Sequence, residues 1–558
     1  MGSRSRGAFH GLVGGSDAAA SAADVTKRLS DIKPVLTSLR KSTGTPSFTL
    51  GVLHHGHVVF QHAEGRPSAQ QQKEVNIGTQ YIIGSLTKAF VSAACGILVE
   101  EGKLDWDKPL STFYPFRQKH NPEMGEKACL ADALTHSTGM SQIDISWYGA
   151  DGKAILGPEN LNHVVTHIPV FDDFRTKFHY SNWMYSIAGR VISLLSGQSA
   201  YNGWSTFIKN RIFAPLGMQR STASRADLPD SNFAEAHTVL DNGEAALLPI
   251  PDFNDRTITG PSAAIWSNVP DMLKWAHAIL TRRNFEHGVE ADDPSNPLRQ
   301  IKRILDHGFR VKEDSVTDVT YGFGWSRLTM PSTQMGWLSQ NRAKENMVIG
   351  ADSQPRLVFY HSGQITGYLA SLYLFPESTS AVVVLTNAQG MGDASDLVAQ
   401  AAIQALFDLQ PAIDFDKFAR QTVESHATAY SHMMQDYEHN REKDTPVPFP
   451  SDIVGLYHNA DIRMDIAVRQ IGGNQDNFLQ IEFNGYASQR HTLRHYHFDT
   501  YGFPPASREE RELRCLVDYD GYEMWLLQFK RDSANMVDSL LWLMEPGLPP
   551  LRFERRAR

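Results

Sequence analysis

Cysteine is nearly absent. The chain holds three in 558 residues, Cys95, Cys129 and Cys515, far apart. A count so sparse and odd excludes a disulfide framework and a cysteine-rich zinc site, and it fits a reducing compartment. Excess positive charge is missing too. Lys and Arg number 53 against 62 Asp and Glu, a net charge of −9. That argues against nucleic acid as a partner, because such binders carry a basic footprint. There is no apolar run of about 18 residues, so no membrane-spanning helix is expected. The start is rich in Gly, Ala and Ser and lacks the apolar stretch of about 7–15 residues that marks a secretory leader. Residues 1–23 therefore read as a flexible arm, and the expected address is cytoplasmic. A Walker A loop, an H-E-x-x-H pair and a G-x-S-x-G elbow are all absent.

What is present suffices for a large core, with 41% hydrophobic and 10% aromatic residues. The spacing of Val25, Leu29, Ile32, Leu36 and Leu39 predicts a helix over 24–41, kinked at Pro34. Ser47–Leu53 and Val58–Phe60 read as a hairpin turning at Gly56. Apolar runs at 357–360, 368–375 and 381–385 read as late strands. The middle carries helices over 85–102, 183–196 and 272–280. Strands at both ends of a helical middle predict one discontinuous α/β (α+β) unit, its sheet joining the N-terminal hairpin to the late strands. Residues 284–316 read as a polar inserted excursion.

A helical stretch at 414–441 leads into the proline-broken segment 443–450. Beyond it the pattern shifts to short alternating segments at 464–468, 478–483, 512–517, 524–529 and 539–544. Turn signals fall at Gly472-Gly-Asn474, Asn484-Gly485 and Asp520-Gly521. They predict a separate small β domain, a barrel or a sandwich. The expected division is a main α/β unit at 24–410, a helical linker at 411–445 and a β domain at 446–558. The aromatic loop Phe498–Phe503 is expected to reach a pocket rim as a lid; the alternative is a solubility or oligomerisation module.

Three short motifs carry chemistry. Ser85-Leu-Thr-Lys88 puts a hydroxyl and an amine on one helical face, where the amine can activate the serine. The spelling S-x-x-K also occurs at Ser30 and Ser38, on a polar helix, where it reads as solvated surface. Only Ser85 leads into a strongly apolar helix, 89–99. Phe178-His-Tyr-Ser-Asn182 offers Tyr180, which a buried cation could turn into a phenolate base, and Asn182, which can both donate and accept. Tyr360-His-Ser-Gly363 lies on an apolar strand, where Gly363 would let a ligand approach the edge. Read alone, each motif also has a bland structural meaning: a helix cap, a half-buried tyrosine, a strand histidine.

Together, in this order and spacing, they resemble the serine β-lactamase and penicillin-binding superfamily, in particular its class C-type branch of β-lactamases, D-aminopeptidases, esterases and lovastatin-type acyltransferases. Leu134-Thr-His-Ser-Thr-Gly-Met140, Gly102–Pro109, Pro215–Met218, Tyr321–Trp325 and Leu385-Thr-Asn387 extend the likeness over about residues 27–407. The resemblance implies a β-lactamase/transpeptidase-like domain with an antiparallel sheet and a helical subdomain, followed by a barrel or lipocalin-like module. It implies that Ser85 is acylated, that Lys88 and Tyr180 share the proton work, and that the backbone N–H groups of Ser85 and Gln364 form the oxyanion hole. Asn182, His361 and Gly363 would contact substrate. It implies no metal and no organic cofactor.

Histidine stands at 361 where the family carries lysine. Being mostly neutral, it weakens the case for a β-lactamase. The expected substrate is a small ester, amide or peptide, with neither nucleic acid nor membrane as partner. Acyl transfer in natural-product assembly and a non-catalytic scaffold remain as alternatives, and oligomeric state is not legible.

Overall fold

The computed structural model describes residues 21–198, 201–312, 319–341, 347–472, 478–517 and 521–556. Two helices open it, α1 (Ala22–Asp31) and α2 (Lys33–Ser42), with Pro34 in the first turn of the second. The expected kink is thus a break, since proline fits a helix start better than its interior. Of the expected N-terminal arm, the described part at 21–23 is instead a capped helix start. Ser21 Oγ accepts from the N–H of Asp24, and the Asp24 carboxylate accepts from the N–H of Ser21.

The sheet has eight strands: β1 (Ser47–His54), β2 (His57–Gly65), β3 (Phe309–Arg310), β4 (Thr320–Tyr321), β5 (Ser326–Met330), β6 (Arg356–Ile365), β7 (Tyr368–Phe375) and β8 (Ser380–Thr386). Its order is β2-β1-β8-β7-β6-β5-β4-β3, antiparallel throughout. The N-terminal hairpin therefore does join the late strands. Strand β8 shows why its run is unbroken by polar residues. Val382 and Val384 enter the core on the α1–α2 side, while Ala381, Val383 and Leu385 enter the opposite core. A strand covered on both faces needs apolar residues at every position.

The helical side holds α3 (Thr87–Glu100), α4 (Asn182–Leu195) and α5 (Val269–Glu286). Helix α6 (Ala394–Phe407) covers the other face together with α1 and α2. The expected excursion at 284–316 is only partly irregular: α5 runs on to Glu286, and a short helix (Ile301–Asp306) feeds edge strand β3.

Helix α7 (Phe415–His439) leads to a closed eight-stranded barrel: β9 (Gly455–Asn459), β10 (Met464–Ile471), β11 (Phe478–Phe483), β12 (Arg490–His497), β13 (Thr500–Gly502), β14 (Leu526–Arg531), β15 (Val537–Trp542) and β16 (Leu551–Arg555). The expected strand at 512–517 is instead the end of helix α8 (Arg508–Leu513) and its exit turn. Ser507 caps this helix by accepting from the N–H of Glu510, a start signal that apolar alternation does not register. The lid expected at 498–503 is also corrected. Tyr501 and Phe503 point into the barrel core, and the Phe498 N–H donates to Thr445 in the linker. The expected turns at 472–474 and 520–521 lie partly outside the described residues.

The barrel and the unit built on the eight-stranded sheet are joined by buried polar contacts. Arg508, 3% exposed, donates to the carbonyls of Val239 (2.8 Å) and Gly390 (3.1 Å). Among the described residues no helix is long and apolar enough to cross a membrane. Arg508→Ala should leave both buried carbonyls without their donor. A loss of about 2–3 kcal/mol is expected from charged-donor bonds of this kind, read as a lower urea midpoint. An unchanged midpoint would show that this contact does not hold the two units together.

Candidate active site

Helix α3 is apolar on all sides, so it is buried on all sides. Lys88 sits in its first turn with no exposed surface. Ser85 lies three residues earlier, in the 3₁₀ turn Gly84–Leu86, and not within the helix itself. The spacing still brings the pair together: Lys88 Nζ donates to Ser85 Oγ at 2.9 Å. The other two ammonium donors are also used, on Asn182 Oδ1 (2.9 Å) and the Ser262 carbonyl (3.1 Å). The hydroxyl of Tyr180 donates to Ser85 Oγ at 3.0 Å. Lys88 Nζ lies 4.8 Å from the centre of the Tyr180 ring and 5.4 Å from that of Tyr185. Four of the residues singled out from the sequence are therefore joined by direct hydrogen bonds.

Electrostatics separates their roles. Burial pulls the Lys88 amine down to about 7, opposed by the negative charge of Asp144. Burial raises Asp144 to about 6, against hydrogen bonds from Gln142, Asn182 and Trp147 and the pull of Lys88. Burial also pushes the Tyr180 phenol above its usual range, opposed only by its bond to Ser85. The sequence left the base open between Lys88 and a Tyr180 phenolate; burial weighs against the phenolate. A low-dielectric site disfavours the phenolate, and the neighbouring amine is itself only partly charged near neutrality.

The segment that presents Tyr180 is held by the 134–140 segment. Tyr185 Oη donates to the Leu134 carbonyl (2.8 Å), the His179 N–H to the His136 carbonyl (2.8 Å), and the Ser181 N–H to His136 Nδ1 (3.1 Å). The His136 ring lies 4.2 Å from that of Tyr180, and burial keeps it neutral.

The third motif behaves differently from the expectation. His361 is buried and bonds none of the four. Its Nε2 accepts from Tyr321 Oη (2.8 Å), which leaves Nδ1–H for the Ser362 carbonyl (2.5 Å). Burial, and then the charge of Lys88, hold it down to about 3, so it is a neutral ring with both nitrogens occupied. Gly363 has no room on the side where a Cβ would project. A Cβ there would stand 1.9 Å from the Ile83 carbonyl oxygen, so what approaches the strand is the protein's own backbone. Pairing of β6 with β5 ends at Tyr360, and the Ser85 turn packs beyond that point. Gly84, at φ +53°, meets the same strand: its Cβ would lie 2.6 Å from the Gln364 nitrogen. The close fit puts Gln364 beside Ser85.

Residues 32–406 match the family model described as Beta-lactamase. The chain belongs to that family. It is 26% identical over 322 residues to the unguisins hydrolase ungD′ of Aspergillus campestris, covering 55% of this chain and 52% of that protein. It is 21% identical over 347 residues to protein flp of Staphylococcus aureus, covering 61% and 59% respectively. The aligned stretch thus spans little more than half the length of these curated relatives. In fold it is similar to the octameric penicillin-binding protein homologue from Pyrococcus abyssi, with a TM-score of 0.55 and 17% identity, covering 94% of this chain and all of that one.

Sequence reasoning missed two residues of this β-lactamase-family site. Tyr321 opens the Tyr321–Trp325 segment, whose likeness to the family carries no role for it. Asp144 stood between two isoleucines with no motif around it; an acidic residue flanked on both sides by isoleucine was the available signal. Among the described residues no cluster of three or more His, Cys, Asp or Glu side chains could hold a metal ion. Gly363→Ala should force the Ser85 turn off β6. A cost of about 1–3 kcal/mol is expected from overpacking, seen as a lower thermal midpoint. A variant as stable as the parent would mean that the strand and turn can separate freely.

Proposed function

We propose that the chain is a serine hydrolase that cleaves an ester or amide of a small molecule or peptide through an acyl-enzyme on Ser85. The observation that carries this reading is Ser85 Oγ held between an amine at 2.9 Å and a phenol at 3.0 Å. With its affinity for protons lowered to about 7, Lys88 is partly neutral near neutral pH. Its lone pair then takes the Ser85 proton along the same short contact as Oγ attacks the carbonyl carbon. Tyr180 gives its proton to the leaving group and recovers one from Lys88. Water clears the acyl-enzyme by the reverse path. The N–H groups of Ser85 and Gln364 receive the developing oxyanion. Asn182 keeps Lys88 in place by accepting from Nζ while donating to Asp144 Oδ2 at 3.0 Å.

The neutral, fully bonded His361 supplies no cation for a substrate carboxylate, which supports neutral esters and amides over penicillins. Hydrolysis is favoured over acyl transfer by the relative named as a hydrolase.

Lys88 as base fixes the sign of the pH dependence. Acylation should rise with pH through about 7 and level off above it, because the neutral amine is the active form. Stopped-flow acylation by a neutral ester measures this, and a profile without an inflection near neutrality rejects Lys88 as the base. Ser85→Ala should abolish turnover and fluorophosphonate labelling in a folded protein. Tyr180→Phe should lower kcat by ~10²-fold, the scale of a lost acid–base group. Turnover retained by the Ser85 variant would discard the nucleophile.

A further inference from the structure

One barrel carboxylate reaches the site. Glu545 lies in the turn between β15 and β16 and is only 5% exposed. Its Oε2 accepts the consecutive N–H groups of Gln142 (2.9 Å) and Ile143 (3.1 Å). Its Oε1 faces His179 Nε2 at 2.6 Å. Two adjacent amides converging on one anion form a nest. Ile143 adopts φ +34°, a left-handed conformation that a β-branched residue holds only when its surroundings impose it.

Both segments so gripped lead directly into the site. Next to Ile143 is Asp144, whose Oδ2 accepts from Gln142 Nε2 (2.6 Å) and Asn182 Nδ2 (3.0 Å); Asn182 in turn holds Lys88. The Gln142 carbonyl accepts from Trp183 Nε1 (2.8 Å), at the start of α4. Next to His179 is Tyr180, and the His179 ring stacks on Phe171 at 4.0 Å. The barrel meets the same 142–155 segment at three further points. Gln489 makes two bonds with the backbone of Ala150 (2.7 and 3.0 Å), the Arg514 carbonyl accepts from the Asp151 N–H (2.7 Å), and Asn484 donates to the Ile155 carbonyl (3.0 Å). The backbone of 142–155 thus depends on the barrel for partners it does not find in its own domain.

We infer that Glu545 is a positioning residue for the Ser85 site, so that the C-terminal barrel completes a reaction centre whose reacting groups all belong to the other domain. This rests on the proposed hydrolase reading. Glu545 touches no reacting atom. It sets Asp144 and Tyr180 by pinning the residues before them, and Asp144 tunes Lys88 by its charge.

The test uses the full chain, a small neutral ester and a fluorophosphonate, with Glu545→Ala, Glu545→Gln and, as a barrel-surface control, Arg552→Ala. Glu545→Ala should slow Ser85 labelling by ~10-fold or more, within the range expected for a misplaced catalytic group. Glu545→Gln, which keeps one acceptor oxygen, should fall between it and the parent, and Arg552→Ala should match the parent. The loss should lie in kcat with little change in KM. The acid limb of the pH profile should move to lower pH, because an unpinned Asp144 no longer raises Lys88. A purely structural contact would lower the amount of folded protein without moving that limb. Should the alanine variant unfold, the near-isosteric glutamine variant carries the same readouts. Parent-like rates and pH profile in the folded Glu545 variants overturn the inference and leave the hydrolase reading intact. An unaltered protein that is never labelled at Ser85 overturns both.

Discussion

A lysine ammonium without solvent is the constraint around which the site is arranged. Burying such an ion costs several kcal/mol unless its donors are satisfied or it gives up its proton. Lys88 does both in part. Ser85, Asn182 and the Ser262 carbonyl take its three donors, two tyrosine rings face it, and its proton affinity still drops to about 7. An amine in that state can hold a proton or release it at neutral pH. The same burial that makes the site costly to fold makes the amine suited to its proposed role, and it keeps Tyr180 a phenol and His361 a neutral ring.

The antiparallel sheet acts on this site through backbone fit. Where β6 loses its β5 neighbour, the turn carrying Ser85 docks against it. No side chain intervenes, because residues 84 and 363 are glycines whose Cβ atoms would strike backbone. The position of Ser85 relative to Gln364 is therefore set by main-chain contact, which is stiffer than any packing of side chains. The Asp144 side of the site is supported differently. It is held by hydrogen bonds, several of which come from the barrel.

That division matters for the comparison with relatives. The family match ends at residue 406, and Glu545 lies well beyond it. The matched stretch includes the positions Ser85, Lys88 and Tyr180 and the frame around them. It does not include the residues that the barrel brings to the 142–155 segment, where this chain can differ from proteins that share the motif set.

The sequence alone determined what local pattern encodes. It predicted the hairpin joined to the late strands, the buried helix behind Ser85, the proline break before a β module, and the three motifs whose order resembles this family. These follow from periodicity, turn residues and fixed short spacings, all of which act over a few residues. It misjudged the 512–517 segment, where a capped charged helix imitates alternation. Only the tertiary structure decided which protonation states the site favours, since these depend on burial. It alone showed that His361 faces Tyr321, that Gly363 meets Ile83, and that Asp144 belongs to the site at all. It alone brought Glu545 to His179, 366 residues away along the chain. Desolvation and long-range contact are properties of the packed molecule, and no local window of sequence contains them.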